Sequence, residues 1–145
     1  GFNNEGKLLL LANSTGNEAL ENGMVDGLEF GPFLIVNGKA MEIVGMPYGV
    51  ANKCVIAQRK DGVIMFLVID GRALHSTGAT YMQCADILLE YGAINAAACD
   101  GGSSSVIAYK GKVLNIPSTP MKETGRYLPN AFLVRSKAVQ DASKN

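Results

Sequence analysis

The sequence is poor in the side chains from which the commonest metal and nucleophile sites are built. It has one histidine, His75, in 145 residues, too few for a tight zinc site. Its three cysteines, Cys54, Cys84 and Cys99, are odd in number and show no C-x-x-C spacing. They therefore read as small buried hydrophobes rather than as a disulfide framework or a zinc site. No G-x-S-x-G elbow accompanies His75 and its possible serine partners Ser76 and Ser104, so His75 reads as a surface loop residue. No G-K-[ST] follows the glycines, which excludes a P-loop. Charge of either sign is not in excess: 13 basic residues face 13 acidic ones. No global field draws the chain to nucleic acid or to an anionic membrane. Nor does any run approach the roughly 20 apolar residues of a membrane span, so no membrane insertion is expected. A signal-peptide pattern is absent, as it would be from a mature or trimmed chain, and compartment stays open.

What is present describes one folded domain. A chain of 145 residues, 48% hydrophobic and 18% charged, can bury a sizeable core. Its 17 glycines imply many tight turns. Thr15 with Glu18 forms a capping box for a short helix ended by Gly23. Leu28 to Val36 is apolar, and Pro32 within it suggests an edge position or a bulge. Asn37-Gly38 signals a hairpin, and Met41 to Gly49 reads as loop. Lys53–Arg59 and Val63–Ile69 flank Lys60-Asp61-Gly62 as a second hairpin. The second of these strands is apolar throughout, which predicts burial on both faces at the centre of the sheet. Thr80 with Gln83 caps a main helix over residues 81–91, with Cys84, Ala85, Leu88 and Leu89 as its apolar stripe and Gly92 as its stop. Lys110-Gly111-Lys112 is a further hairpin turn, Asn115 to Arg126 a polar loop, and Asn130 to Arg135 a last strand. The expected fold is α+β, a mixed, mostly antiparallel sheet packed around the helix at 81–91. The domain spans residues 1–135, and 136–145 form a flexible tail.

The chemistry gathers at Cys99-Asp100-Gly101-Gly102-Ser103-Ser104-Ser105, where an apolar run ends at a carboxylate, two glycines and three hydroxyls. Adjacent glycines allow close approach of backbone to ligand, and turn N–H groups can form an anion-cradling nest. A plain tight turn is the competing reading. Val68-Ile69-Asp70-Gly71-Arg72 repeats the pattern of strand, carboxylate and glycine. Asp70 and Asp100 could thus lie side by side at one sheet edge. As a pair they could supply nucleophile or base and acid or electrostatic stabiliser, or Asp70 could simply hold a turn. Arg72 and Arg126 are the best anion binders, because guanidinium meets phosphate oxygens in a bidentate fork. A calcium or magnesium ion at the two aspartates is left open, and no other cofactor is expected.

Taken in order, Asn52–Gly62, Val68–Arg72, Ser76–Thr80, Gly92–Ala96, Asp100–Ser104 and Gly111–Asn115 resemble the phosphodiester glycosidase family, over about residues 28 to 135. Bacterial members are often labelled exopolysaccharide-biosynthesis proteins. The resemblance implies hydrolysis of a sugar-1-phosphodiester, releasing the sugar and leaving a phosphomonoester. It places catalytic roles on Asp100, Asp70, Arg72 and Arg126. It places substrate binding on Lys53, Gly101, Gly102, Ser103, Ser104, Gly78 and Thr80. It also implies a phosphosugar or glycan as partner and a setting in the cell envelope or outside the cell.

The chain departs from the family pattern over Asn52–Ala57, where Pro-Arg-Thr-Ala-Ile-Gly is common, and at two later positions. Lys53 stands where an arginine is common, Ser103 where many members have a third glycine, and Gly125 where a glutamate usually precedes the late arginine. Family members usually carry an upstream segment with an Asn-Gly-Gly-aromatic motif, so a second chain or an upstream segment is expected to complete the pocket. The alternative to an enzyme is a catalytically degenerate module that binds glycans or phosphosugars. A structural domain of a larger surface or assembly protein is a third reading.

Overall fold

The computed structural model describes residues 1–43, 49–119 and 125–135. Strand β1 (Phe2–Asn3), helix α1 (Gly16–Glu21) and strand β2 (Met24–Asp26) open the chain, β1 and β2 pairing with each other. The Thr15–Glu18 capping box forms as expected, and Gly23 beyond it takes φ +82°.

The main sheet follows. It holds β3 (Phe33–Val36), β4 (Lys39–Ala40), β5 (Lys53–Arg59), β6 (Ile64–Ile69) and β7 (Ala93–Cys99) in the order β4-β3-β7-β5-β6, and all its pairings are antiparallel. Asn37 and Gly38 both take positive φ, the type of turn that matches strand twist in a two-residue hairpin. Helix α2 (Tyr81–Glu90) carries the expected capping box at Thr80 and Gln83. It lays Tyr81, Cys84, Ala85 and Leu88 on one face of the sheet, against Leu34, Val55, Ala57, Ala96 and Ala98. The alanines of β7 present little bulk, so the helix can sit close over the central strand. A small hairpin of β8 (Ala108–Tyr109) and β9 (Lys112–Val113) turns at Lys110-Gly111. The fold is thus α+β, a mostly antiparallel five-stranded sheet with one main helix packed against it. No helix among the described residues is long and apolar enough to cross a membrane.

Two expectations change, and the two readings of Pro32 resolve to one. Strand β6 is not central: it is the edge strand beyond β5. Nor is it buried on both faces: Met65, Leu67 and Ile69 pack only partly buried on the helix-side core, and on the other face Phe66 stacks on Phe132, ring centroids 6.3 Å apart, yet stays exposed. An all-apolar strand thus need be neither central nor fully buried.

Asn130 to Arg135 form no strand. Phe132 anchors that segment between Phe66 and Phe2, whereas Leu133 and Val134 stay in solvent. Side-chain packing holds it where a ladder was expected.

Pro32 precedes a strand that lies between two others, and the bulge reading is the one that fits. The β3–β7 register slips between Phe33 and Ile35, and the Pro32 carbonyl accepts from Ala98 N–H at 2.9 Å. The Met41–Gly49 loop falls partly, and the 136–145 tail wholly, outside the described residues.

Candidate active site

Strands β6 and β7 both run antiparallel to β5, so their C-terminal ends reach the same edge of the sheet. Ile69 registers with Lys53 and Cys99 with Cys54. Asp70 and Asp100 therefore share an edge, but the start of β5 lies between them. Two strand spacings put their backbones roughly 10 Å apart. They are neighbours across Lys53 rather than a touching pair.

Asn52, the residue just before β5, organises this edge. It is 1% exposed. With its amide oriented as its neighbours require, its NH2 donates to the Gly71 carbonyl and to Ser118 Oγ, both at 3.2 Å. Its side-chain oxygen accepts from Gly71 N–H at 2.8 Å. The Asn52 backbone carbonyl in turn accepts from Gly102 N–H at 3.1 Å. One buried amide thus fixes the Asp70 loop and the Asp100 loop together. The approach is close enough to demand glycine: a Cβ on Gly71 would stand 2.6 Å from Asn52 N, and one on Gly101 would stand 2.9 Å from Asn52 O.

The two carboxylates have different surroundings. Asp70 accepts from Asn115 Nδ2 and from Ile116 N–H, each at 3.1 Å, and His75 Nε2 lies 3.1 Å away. Burial pushes its pKa up, but the bonds from Asn115, Ile116 and His75 outweigh it and hold the carboxyl below its usual range. Both of its oxygens are engaged in tying down the loop at 115–116. Asp100 is exposed and uses one oxygen only. Its Oδ2 takes the Ser104 hydroxyl at 2.5 Å and Arg126 Nη2 at 3.0 Å, while Oδ1 has no donor among the described residues. Arg126 also donates through Nε and Nη2 to Ser104 Oγ. Gly125 lets this arginine come close, being buried at φ +76° with Val106 2.8 Å from where a Cβ would stand. The turn Gly102–Ser104 that brings Ser104 under Asp100 is a single 3-10 turn.

The Arg72 backbone N–H donates to the Thr77 carbonyl at 3.2 Å, but its guanidinium makes no hydrogen bond or ion pair among the described residues. The residue is held at φ +55°, a conformation side chains rarely adopt. Its Nη1 lies 3.8 Å from the Cβ position of Gly102, so its guanidinium stands beside the Asp100 loop. A strained backbone presenting an unpaired cation is the pattern of a ligand-binding position.

Lys53 behaves otherwise. It is buried, its Nζ donating to the Gly49 carbonyl at 3.1 Å and lying 4.7 Å from the Tyr81 ring centroid. Burial holds its ammonium below the usual lysine pKa, the Arg72 charge acting in the same sense and Cys84 opposing it.

Among the remaining expected residues, Ser103 makes no side-chain bond among the described residues, and Ser105 Oγ is buried without a partner there. The Thr80 hydroxyl accepts from Gln83 N–H in the helix cap. Gly78 backs onto Ala51, whose carbonyl would stand 2.4 Å from a Cβ. The structure thus groups Asp100, Gly102, Ser104, Arg126 and Arg72, and spends Asp70, Thr80 and Gly78 on scaffold contacts. No cluster of three or more His, Cys, Asp or Glu side chains suited to a metal stands among the described residues.

Sequence reasoning passed over Asn52 and Asn115 as site-building residues. Asn115 ties Asp70 to the Ser105 carbonyl at 2.8 Å and to Ile107 N–H at 2.9 Å. Both lie at an end of a run that carries the family resemblance, and each is an amide set next to apolar residues, which burial obliges to find partners.

A groove of about 520 Å³ lies on the sheet face opposite α2, lined by residues including Leu8, Phe30, Phe33, Cys99 and Phe132. It contains none of the residues grouped above.

Fold and cluster together define an α+β domain whose sheet edge presents an exposed carboxylate with two guanidinium groups. The family model for phosphodiester glycosidases matches residues 1–135, and the chain belongs to that family. It is 32% identical over 100 residues to the SPbeta prophage-derived uncharacterized protein YomE of Bacillus subtilis (strain 168), covering 66% of this chain and 16% of that protein. It is also similar to a crystal structure of a hypothetical protein from Synechocystis, with TM-score 0.57 and 30% identity over 71% of this chain and 20% of that one. The chain therefore spans about a fifth or less of the length of these relatives.

Proposed function

We propose that this site hydrolyses the glycosidic bond of a sugar-1-phosphodiester. The observation that carries the reading is the Asp100–Ser104–Arg126 cluster with one carboxylate oxygen uncommitted, beside the unpaired guanidinium of Arg72. In this reaction the bond between sugar C1 and the phosphodiester oxygen breaks. Its electron pair stays on the phosphate, which leaves as a monoester, and water adds to C1. Phosphate is a good leaving group, so charge stabilisation matters more than a strong general acid. Arg72 takes the phosphate oxygens. Arg126 and Ser104 fix the orientation of Asp100 through its Oδ2. The free Oδ1 of Asp100 faces the sugar as nucleophile, as base for the water, or as partner for a hydroxyl. Gly101 and Gly102 let the sugar approach the backbone, and Ser103 is free to bind a hydroxyl. Asp70 is then a positioning residue.

The exposure of Arg72, Asp100 and Arg126 supports completion of the pocket by a further segment or a second chain. The proposed setting is the cell envelope or the extracellular space, on the strength of the family.

A second reading, phosphosugar binding without turnover, is favoured by Lys53. Its ammonium is spent on the Gly49 carbonyl and the Tyr81 ring, so the phosphate would meet fewer cations than in the family pattern. The deciding experiment follows free sugar released from a panel of UDP-sugars and sugar-1-phosphodiesters, comparing the wild type with Asp100→Asn. Turnover that falls in the variant supports hydrolysis. Saturable binding with no turnover supports the binding module.

A further inference from the structure

Cys54 and Cys99 are not dispersed core residues. They are direct cross-strand partners on β5 and β7, both half-buried, and neither is in a disulfide. Residues directly opposite in an antiparallel pair have Cα atoms about 4.5–5.5 Å apart, inside the roughly 4.4–6.8 Å span that a disulfide bridges. Each side chain points to the face opposite α2, because Lys53, Val55 and Ala98, their chain neighbours or near neighbours, point toward the helix side. Cys99 lines the groove on that face, so a small solute can reach it. Cys84 is the contrast, fully buried on α2 beneath the other face.

We propose that Cys54 and Cys99 form an oxidation site that closes to a cross-strand disulfide, with a peroxide as oxidant. The thiols touch: Cys54 donates to the Cys99 sulfur, which holds Cys99 below the ordinary thiol pKa, and Ile56 N–H adds to this while burial opposes it. Cys99 is therefore the attacking sulfur. Its thiolate takes one oxygen of hydrogen peroxide, the O–O bond breaks, and water leaves behind a sulfenic acid. The Cys54 thiol then attacks that sulfur, the S–O bond breaks, and a second water departs as the S–S bond forms. Two thiols lose two electrons and two protons, and one peroxide becomes two waters. The bridge would fasten β5 to β7 one residue from Lys53 and one from Asp100, directly beneath the candidate site.

The test treats the reduced chain with hydrogen peroxide, blocks remaining thiols with iodoacetamide after denaturation, and maps the peptides by mass. The expected product has lost two hydrogens, contains a linked Cys54–Cys99 peptide, and keeps Cys84 as its alkylated cysteine. A Cys84→Ser chain should form the same link and leave no thiol to alkylate. Cys54→Ser should instead stop at a Cys99 sulfenic acid that dimedone traps. Three alkylated cysteines after peroxide, a sulfinic acid at Cys99 in the wild type without a link, or links between chains would each overturn the proposal. So would a link made equally well by the chain kept in denaturant, because the pairing is claimed for the folded sheet.

Discussion

Arg126 holds Asp100 by a single oxygen. Nη2 lies 3.0 Å from Oδ2, and the partners are 26 residues apart in the chain. Ser104 closes the triangle, donating to that same oxygen while accepting from the arginine. The result is a carboxylate fixed on one side and available on the other. A bidentate grip would have consumed both oxygens.

Truncating the clamp should therefore damage function far more than stability. Arg126→Ala is expected to lower kcat/KM for a sugar-1-phosphodiester by about 10²–10³, the range for removing one preorganised electrostatic contact. The urea midpoint should report a stability change of about 1 kcal/mol or less, because the ion pair is largely exposed. Arg126→Lys should recover little, since an ammonium cannot span Ser104 and Asp100 together as the fork does.

Arg72 offers the converse. Its backbone sits at φ +55°, tied by its N–H to the Thr77 carbonyl, while its guanidinium has no partner among the described residues. Arg72→Gly removes that strain and should leave the fold as stable as the wild type or more so, by up to about 1 kcal/mol. Phosphosugar binding, followed by calorimetry, should weaken at least tenfold. A Lys53→Met chain should lose less affinity than Arg72→Gly, as Lys53 points its charge into the fold.

Asn52→Ala tests the joint beneath the site. It strips the partners from Gly71 N–H and the Gly71 carbonyl in a buried setting and opens a small void. A loss of about 2–3 kcal/mol is expected, as for buried polar groups left unsatisfied. Urea denaturation measures it, and a change within error of zero would remove Asn52 from this role.

Acid should act through Asp70. Its folded pKa lies below the ordinary 3.8, so its stabilising contribution is present above that value and is lost as pH falls through the folded one. Asp70→Asn cannot titrate. Its Tm should be below that of the wild type at neutral pH, and the gap should close as pH drops below about 4. A gap that stays constant down to pH 2 would contradict the assignment.

Much of this was legible in the sequence, for identifiable reasons. Caps and tight turns are local chemistry, so Thr15, Thr80, Asn37-Gly38 and Lys110-Gly111 could be placed from neighbouring residues alone. The family motifs located Asp100, Ser104 and Arg126 before any geometry was known. Strand order was not legible, because β6 looks central by composition although it is the edge strand and only partly buried. The meeting of Cys54 with Cys99 and the reach of Asn52 across three loops depend on register, which no local pattern encodes.

The alanines of β7 have a reach beyond their own packing. Ala96 and Ala98 set how near α2 lies to the sheet. The helix begins at Tyr81, only two residues past Ala79, which is bridged to Ala51 beside Asn52. Just before Ala79, Gly78 leaves no slack against that same Ala51 backbone. Any enlargement of the strand would lift the helix and drag this stiff coupling with it, displacing Arg72 without touching it. The thickness of one layer of methyl groups is thus a calibration of the distance between a cation and a carboxylate on the far rim of the domain.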